Sequence, residues 1–169
     1  LPPGLGGSEM CIEPDPKTNI EGFQPLKAPF VLLTIRNTHG GKPCLDQLEV
    51  FNAAAAGRPA RKLALASPGT KTTSSGNFGP HPFHKLAHIN DGRYGNSHSW
   101  ISNQAGRGWV QLEFPETVLI DRIHWGRDRQ SKFADRLPKR DWIEVVPYTH
   151  LTLPTTLRVS FLLPLARTK

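Results

Sequence analysis

The chain has 169 residues, of which 37% are hydrophobic, with 15 glycines, 16 prolines and a formal net charge of +7. That length suits one domain able to bury a core, the Gly and Pro content argues for short strands and turns rather than helices, and no run of about 18 apolar residues is present to span a membrane. The charge does not select nucleic acid as a partner. Arg158, Arg167 and Lys169 lie in a tail without acids, while Arg122, Arg127, Arg129, Lys132, Arg136, Lys139 and Arg140 are interleaved with Asp121, Asp128, Asp135, Asp141 and Glu144. Interleaving of this kind marks a solvated, self-paired surface, whereas nucleic-acid binders cluster their basic residues.

In chain order, residues 1–29 read as a leader and linker, polar and proline-rich from residue 13 onward (Pro14, Pro16, Pro25, Pro29). Phe30 to Ile35 is nearly all apolar and predicts a strand. Asn37 to Pro43, with Gly40-Gly41, predicts a turn, and the alternation of Leu45, Gln47, Glu49 and Phe51 with Asp46, Leu48 and Val50 predicts a second strand, the two forming a hairpin. Ala53 to Gly57 could form one helical turn before Pro59 stops it. Ser74 to His88 is a loop long enough to be functional. Asp91-Gly92 is a turn signal. Val110, Leu112 and Phe114 alternate with Gln111 and Glu113 in a half-buried strand that Pro115 should end. Leu119, Ile123 and Trp125 are expected to share one face of the next strand, and Trp142, Ile143, Val145 and Val146 form another. Trp100, Trp109 and Trp125 are read as core. Gly7 to Ile12 and Tyr148 to Thr156 resemble translated sequencing-adapter read-through, as in conceptual translations of metagenomic assemblies. Residues 148–169 are therefore expected to be a non-native or disordered tail.

Three patterns together carry a resemblance. They are the turn His88-Ile89-Asn90-Asp91-Gly92 leading to Ser99-Trp100, the strand Trp109-Val110-Gln111-Leu112-Glu113-Phe114, and Ile120 to Ile123. These residues resemble discoidin domains, the coagulation factor 5/8 type C modules. The resemblance implies an all-β, galactose-binding-like jelly-roll sandwich over residues 30–147. Leu63 to Thr73 is similar to the family's opening segment, yet the pair of strands that normally closes the domain is matched by Phe30 to Phe51, ahead of it. Either one module has a permuted strand order, or the end of one module precedes the start of the next. The first is favoured because residues 30–146 hold one module's worth of strands and jelly-roll termini lie close together. It requires Phe30 to Ile35 to pair within the 109–146 region. The arrangement over residues 28–146 is similar to segments of large exported bacterial proteins of planctomycete type, which implies an extracytoplasmic location.

The resemblance also implies a non-catalytic binder of polysaccharide or glycoconjugate, the alternative being a structural module that docks neighbouring domains of a larger protein. It implies a structural calcium beside the Asp91 turn, with Asn96, Ser97, Gln47 and Glu49 as further candidate ligands. An amide at position 47, where the family has Glu, weakens a site for a hard cation. Candidate sugar-binding residues are Asn77, Phe78, His81 and His84 in the long loop, and Arg127, Asp128, Arg129 and Phe133 after Trp125. A rigid aromatic face with a few directed polar groups is what such a site needs. His81, His84, His88 and His98 have near-helical spacing in part, but Gly and Pro interrupt the stretch and no Cys partners follow, so zinc is not expected. Cys44 is read as a small semi-buried residue. No nucleophile elbow, P-loop or H-E-x-x-H motif occurs, and no enzyme activity is expected.

Overall fold

In the computed structural model, which describes residues 18–52, 60–66 and 69–146, two long strands set the architecture. Strand β1 (Asn19–Thr38) pairs antiparallel with β6 (Gly108–Gly126) along almost its whole length. On its other edge β1 pairs antiparallel with β7 (Pro138–Val146), so residues 30–35 and 108–146 share one sheet. β6 carries two short strands on its free edge. β3 (Gln47–Asn52) lies along residues 120–126, and β4 (Lys71–Ser74) along residues 110–113. The sheet order is β3-β6-β1-β7 with β4 beside β6, and all these pairings are antiparallel. A second, two-stranded sheet joins β2 (Cys44–Leu45) to β5 (Trp100–Ile101). The only helical element among the described residues is a single 3-10 turn, Leu86–His88. The described chain is therefore all-β, as composition and alternation indicated.

The core follows from these pairings. Val31, Leu33 and Ile35 of β1 point to one side and are fully buried with Val110 and Leu112 of β6 and Val145 of β7. Leu45, Leu48 and Val50 join the same cluster, as do Trp100 and Trp125, both completely enclosed. Trp109 points the other way and is partly exposed, so two of the three tryptophans read as core occupy it and the third does not.

Four local expectations are corrected by the sheet. The β1 strand begins at Asn19, so residues 19–29 are strand rather than linker. Their prolines are tolerated because the β1–β6 register shifts between Gly22 and Leu26, and again between Ala28 and Phe30, which is where Pro25 and Pro29 sit. Pro115 does not end β6, because it falls opposite the second shift, where no ladder hydrogen bond is required of it. The expected hairpin between Phe30–Ile35 and Leu45–Phe51 does not form, since β6 inserts between β1 and β3. Finally, Leu119 is exposed while Ile120, Ile123 and Trp125 are buried. The β3–β6 register shifts between Phe51 and Asn52, opposite Arg122 and Ile120, and the extra residue moves the inward face from the even to the odd positions. The 53–59 connector, the two adapter-like segments and the 148–169 tail lie outside the described residues.

The burial difference between two leucines gives a direct check. Leu33→Ala removes a side chain from the centre of the cluster and should cost about 2–5 kcal/mol, whereas Leu119→Ala should change stability by about 0.5 kcal/mol or less. Urea unfolding midpoints of the two variants measure both. Equal losses would mean that the face assignment around the bulge is wrong.

Candidate functional site

Strand β3 and the residue just before it organise the loops at one end of the sheet through three buried polar side chains, Asp46, Gln47 and Glu49. One edge of β3 is taken by β6. The other edge is covered by loop backbone, with Leu48 N–H donating to Ile89 O, Leu63 N–H to Val50 O and Asn52 N–H to Arg61 O. Asp46 Oδ2 accepts from the backbone of Gly95 at 3.1 Å and of Arg129 at 2.7 Å, tying two separate loops to one carboxylate. Burial pushes this carboxyl above its usual range, and the two N–H donors hold it back.

Gln47 makes three contacts with one nitrogen. Its Nε2 donates toward His88 O at 2.9 Å, Asp91 Oδ1 at 2.8 Å and Arg93 O at 2.9 Å. An amide nitrogen carries two protons, so three acceptors share two donors. The Asp91-Gly92 turn is formed as expected, with Asp91 Oδ1 also accepting from Arg93 N at 2.8 Å and Gly92 at a φ of +80°. Glu49 faces a different set of partners, bonding Lys62, Arg129 and Tyr94 Oη. Burial alone would raise the Glu49 carboxyl, but Lys62 and Arg129 outweigh it and hold it below the ordinary range.

The five residues named as calcium ligands do not converge. Asp91 and Gln47 meet, but through the amide nitrogen. Asn96 Oδ1 accepts from Arg127, Ser97 is exposed, and Glu49 is committed to its cations. Calcium takes six to eight oxygens, and here the point at which three oxygens converge faces an N–H donor. The donor set does not fit that ion.

The sugar-binding candidates separate into two groups. Asn77, Phe78, His81 and His84 line one groove of about 680 Å³, together with Pro80, Lys85 and Leu86. The His81 and His84 rings stack at 4.4 Å between centroids, and Phe78 lies 6.1 Å and 6.4 Å from them with its ring exposed. Lys42 Nζ stands 4.8 Å from the Phe78 centroid, a neighbour that sequence reading did not find because it enters from the Gly40-Gly41 turn. Asn77 Oδ1 accepts from Trp100 Nε1 at 2.9 Å and from Ser74 Oγ at 3.1 Å, so a core tryptophan fixes an exposed amide. His84 Nδ1 lies 2.8 Å from Ser99 Oγ. That hydroxyl gives its own proton to Asn96 O, so the histidine donates and its Nε2 is the basic atom. Burial pushes the His84 imidazole down to about 4, and the nearby His81, Arg127 and Arg136 add to the effect.

Arg127, Asp128 and Arg129 play a different part. Arg127 and Asp128 are buried. The Asp128 carboxylate accepts backbone N–H bonds from Gln130, Lys132 and Phe133, each at 3.0 Å, and so shapes its own loop. Arg127 bonds Asp135 and Asn96 and lies 5.4 Å from the Phe133 ring, which is exposed. The Asp135 carboxyl would be raised by burial, but Arg127 and Arg136 hold it below its usual range. Arg129 is bound to Glu49 and lies over the Tyr94 ring. These cations and the carboxylate are spent on holding loops, and of the four candidates after Trp125 only Phe133 presents a surface. Cys44 is buried and its thiol is pushed up to about 11, so it stays protonated and unreactive. Among the described residues no helix is long and apolar enough to cross a membrane. No family of known proteins, no curated protein and no solved structure matches this chain.

Two outcomes are expected. Gln47→Leu strips one donor group from three acceptors and should cost roughly 2–4 kcal/mol, read from denaturant midpoints. Gln47→Glu sets a carboxylate against the same three oxygens. It should melt below the parent in chelator and regain stability in millimolar Ca²⁺, while the parent melts identically in both. A parent that is itself stabilised by Ca²⁺ would refute the donor-set argument. For pH, the folded His84 resists protonation until about 4 while the unfolded chain takes up that proton near 6.5. Its contribution to stability is therefore present above about 6.5 and is lost as pH falls toward 4. A His84→Asn variant should show a shallower loss of melting temperature over that range than the parent.

Proposed function

We propose that this chain carries a non-catalytic binding module of galactose-binding-like jelly-roll type, acting outside the cytoplasm, whose 77–86 groove takes a polysaccharide or glycoconjugate. The observation that carries the reading is the exposed Phe78 face beside the stacked His81 and His84 rings in an open groove. Sugar C–H groups pack on an aromatic face of this kind, and an anchored amide such as Asn77 supplies directed hydrogen bonds to hydroxyls. The groove is rigid at its base, because Trp100 and Ser99 hold Asn77 and His84. Rigidity of this sort lowers the ordering cost of binding. Lys42 and Lys85 flank the groove, so acidic saccharides gain charge complementarity over neutral ones. The galactose-binding-like reading draws support from the way the early β1 segment joins β6 and β7 in one antiparallel sheet.

A glycan array that includes neutral, uronate and sulfated oligosaccharides tests the proposal. Retention of an acidic class is expected, and Phe78→Ala should weaken it by roughly tenfold, the worth of one aromatic contact of about 1–1.5 kcal/mol. If no saccharide is retained at any concentration, the carbohydrate reading fails and a module that docks neighbouring domains takes its place.

A further inference from the structure

The turn between the 3-10 segment and β5 holds a cluster that the groove does not use. His88, Asp91 and His98 each offer a ligand atom, and these atoms all lie within 4.8 Å of one another. We propose that these three residues bind a divalent transition-metal ion of the zinc, cobalt or nickel type, leaving at least one coordination position open to water or an outside ligand. The proposal stands whether or not the groove takes a sugar.

The arrangement around each residue argues for it. Asp91 has its two oxygens divided. Oδ1 is held by Gln47 Nε2 and Arg93 N, both at 2.8 Å, and this fixes the carboxylate plane. Oδ2 then accepts from His98 Nδ1–H at 3.1 Å, a proton that an ion bound between the two atoms would displace. His88 Nδ1 lies 3.1 Å from Phe83 O, and a carbonyl can only accept, so the proton is on Nδ1 and Nε2 is left as a bare lone pair. An imidazole whose other nitrogen donates to a backbone carbonyl is the usual state of a metal-ligating histidine. The His88 and His98 rings are 5.1 Å apart, close enough to converge on one ion.

The ligand separations are also compatible. With metal–ligand distances near 2.0–2.1 Å, a tetrahedral site sets its ligands about 3.3 Å apart. The His98–Asp91 pair already meets this, and the other separations, none above 4.8 Å, shorten when the ion binds. The backbone that carries the three residues is held from the sheet. Gln47 bonds His88 O and Arg93 O, Asp46 bonds Gly95 N, and Arg127 bonds Asn96 Oδ1. Two imidazoles and one carboxylate select a borderline metal over Ca²⁺ or Mg²⁺, which take oxygen donors. A coordinated ion would staple residues 88–98 into one closed loop.

The test adds Zn²⁺ or Co²⁺ to the full chain after treatment with chelator. One equivalent should bind. Co²⁺ should produce visible d–d absorption, and Zn²⁺ at a hundredfold over its Kd should raise the melting temperature by about 5–10 °C. Ca²⁺ at the same concentration should do neither. His88→Ala and His98→Ala should each lose tenfold or more in Zn²⁺ affinity, while His81→Ala should keep the parent value. In chelator all the variants should melt close to the parent, which shows that the loss is not one of folding. If an alanine variant fails to fold, His88→Gln and His98→Gln remove the imidazole while keeping a hydrogen-bonding amide and give the same reading. The proposal is overturned if neither ion binds the parent saturably, or if either histidine variant keeps its affinity within tenfold.

Discussion

Strand β3 and the residue that leads into it bury two carboxylates and an amide, and each of them must find partners inside the protein. Asp46, Gln47 and Glu49 cannot reach bulk water, so loop backbone and basic side chains are drawn onto them. The result is that one short strand fixes two distant stretches of chain. The 88–96 turn is attached through Gln47 and Asp46, and the 127–135 loop is attached through Asp46 and through Arg129 to Glu49. Arg127 then links those loops directly through Asn96. Removing any one member would leave a buried charge or acceptor without its partner, the costly half of the hydrogen-bond asymmetry.

This network sits next to both sites and gives each a fixed base. Ser99 is bonded to Asn96 and accepts from His84, so the groove wall is tied to the same turn that carries Asp91 and His98. Phe83 O accepts from His88 Nδ1 and from Ser99 N–H, which places a neighbour of the groove residue His81 in contact with a proposed metal ligand. The groove wall and the turn that carries His88, Asp91 and His98 therefore share backbone contacts. The buried cations and carboxylates of the 127–135 loop matter for position rather than contact. They stop the loop from moving, and the exposed surface is left to aromatic rings.

The sheet achieves its size through irregularity. β1 and β6 are long because each passes through prolines at register shifts instead of ending there. Both shifts consume residues that could not donate to a ladder, so the prolines cost little. The bulge in β6 between Ile120 and Arg122 inverts the inward face and lets Trp125 join Trp100 in the core while Leu119 faces outward.

Much was legible from local pattern. Apolar runs identified Phe30 to Ile35 and the β7 region as strands, and alternation identified Val110 to Phe114, because a side chain's face in a regular pleat follows its parity. Asp91-Gly92 announced its turn through chemistry confined to a few residues. Composition indicated an all-β chain, and the Phe78, His81, His84 set was recognisable as an aromatic loop. The sequence alone could not show that β6 lies between β1 and β3, nor that Pro115 falls at a bulge, since both depend on pairing between residues far apart in the chain. Nor could it show which polar groups meet. Gln47 was expected to aim an oxygen at a cation and instead aims a nitrogen at three acceptors, while Arg127 and Asp128 were expected at a surface and are buried. Gly and Pro between the histidines, and the lack of Cys partners, argued against a metal, yet the turn brings His88 and His98 to one carboxylate. The physical reason is the same in each case: local pattern sets which way a residue points, but its partners are decided by long-range packing, where buried donors and acceptors from distant stretches compete for one another.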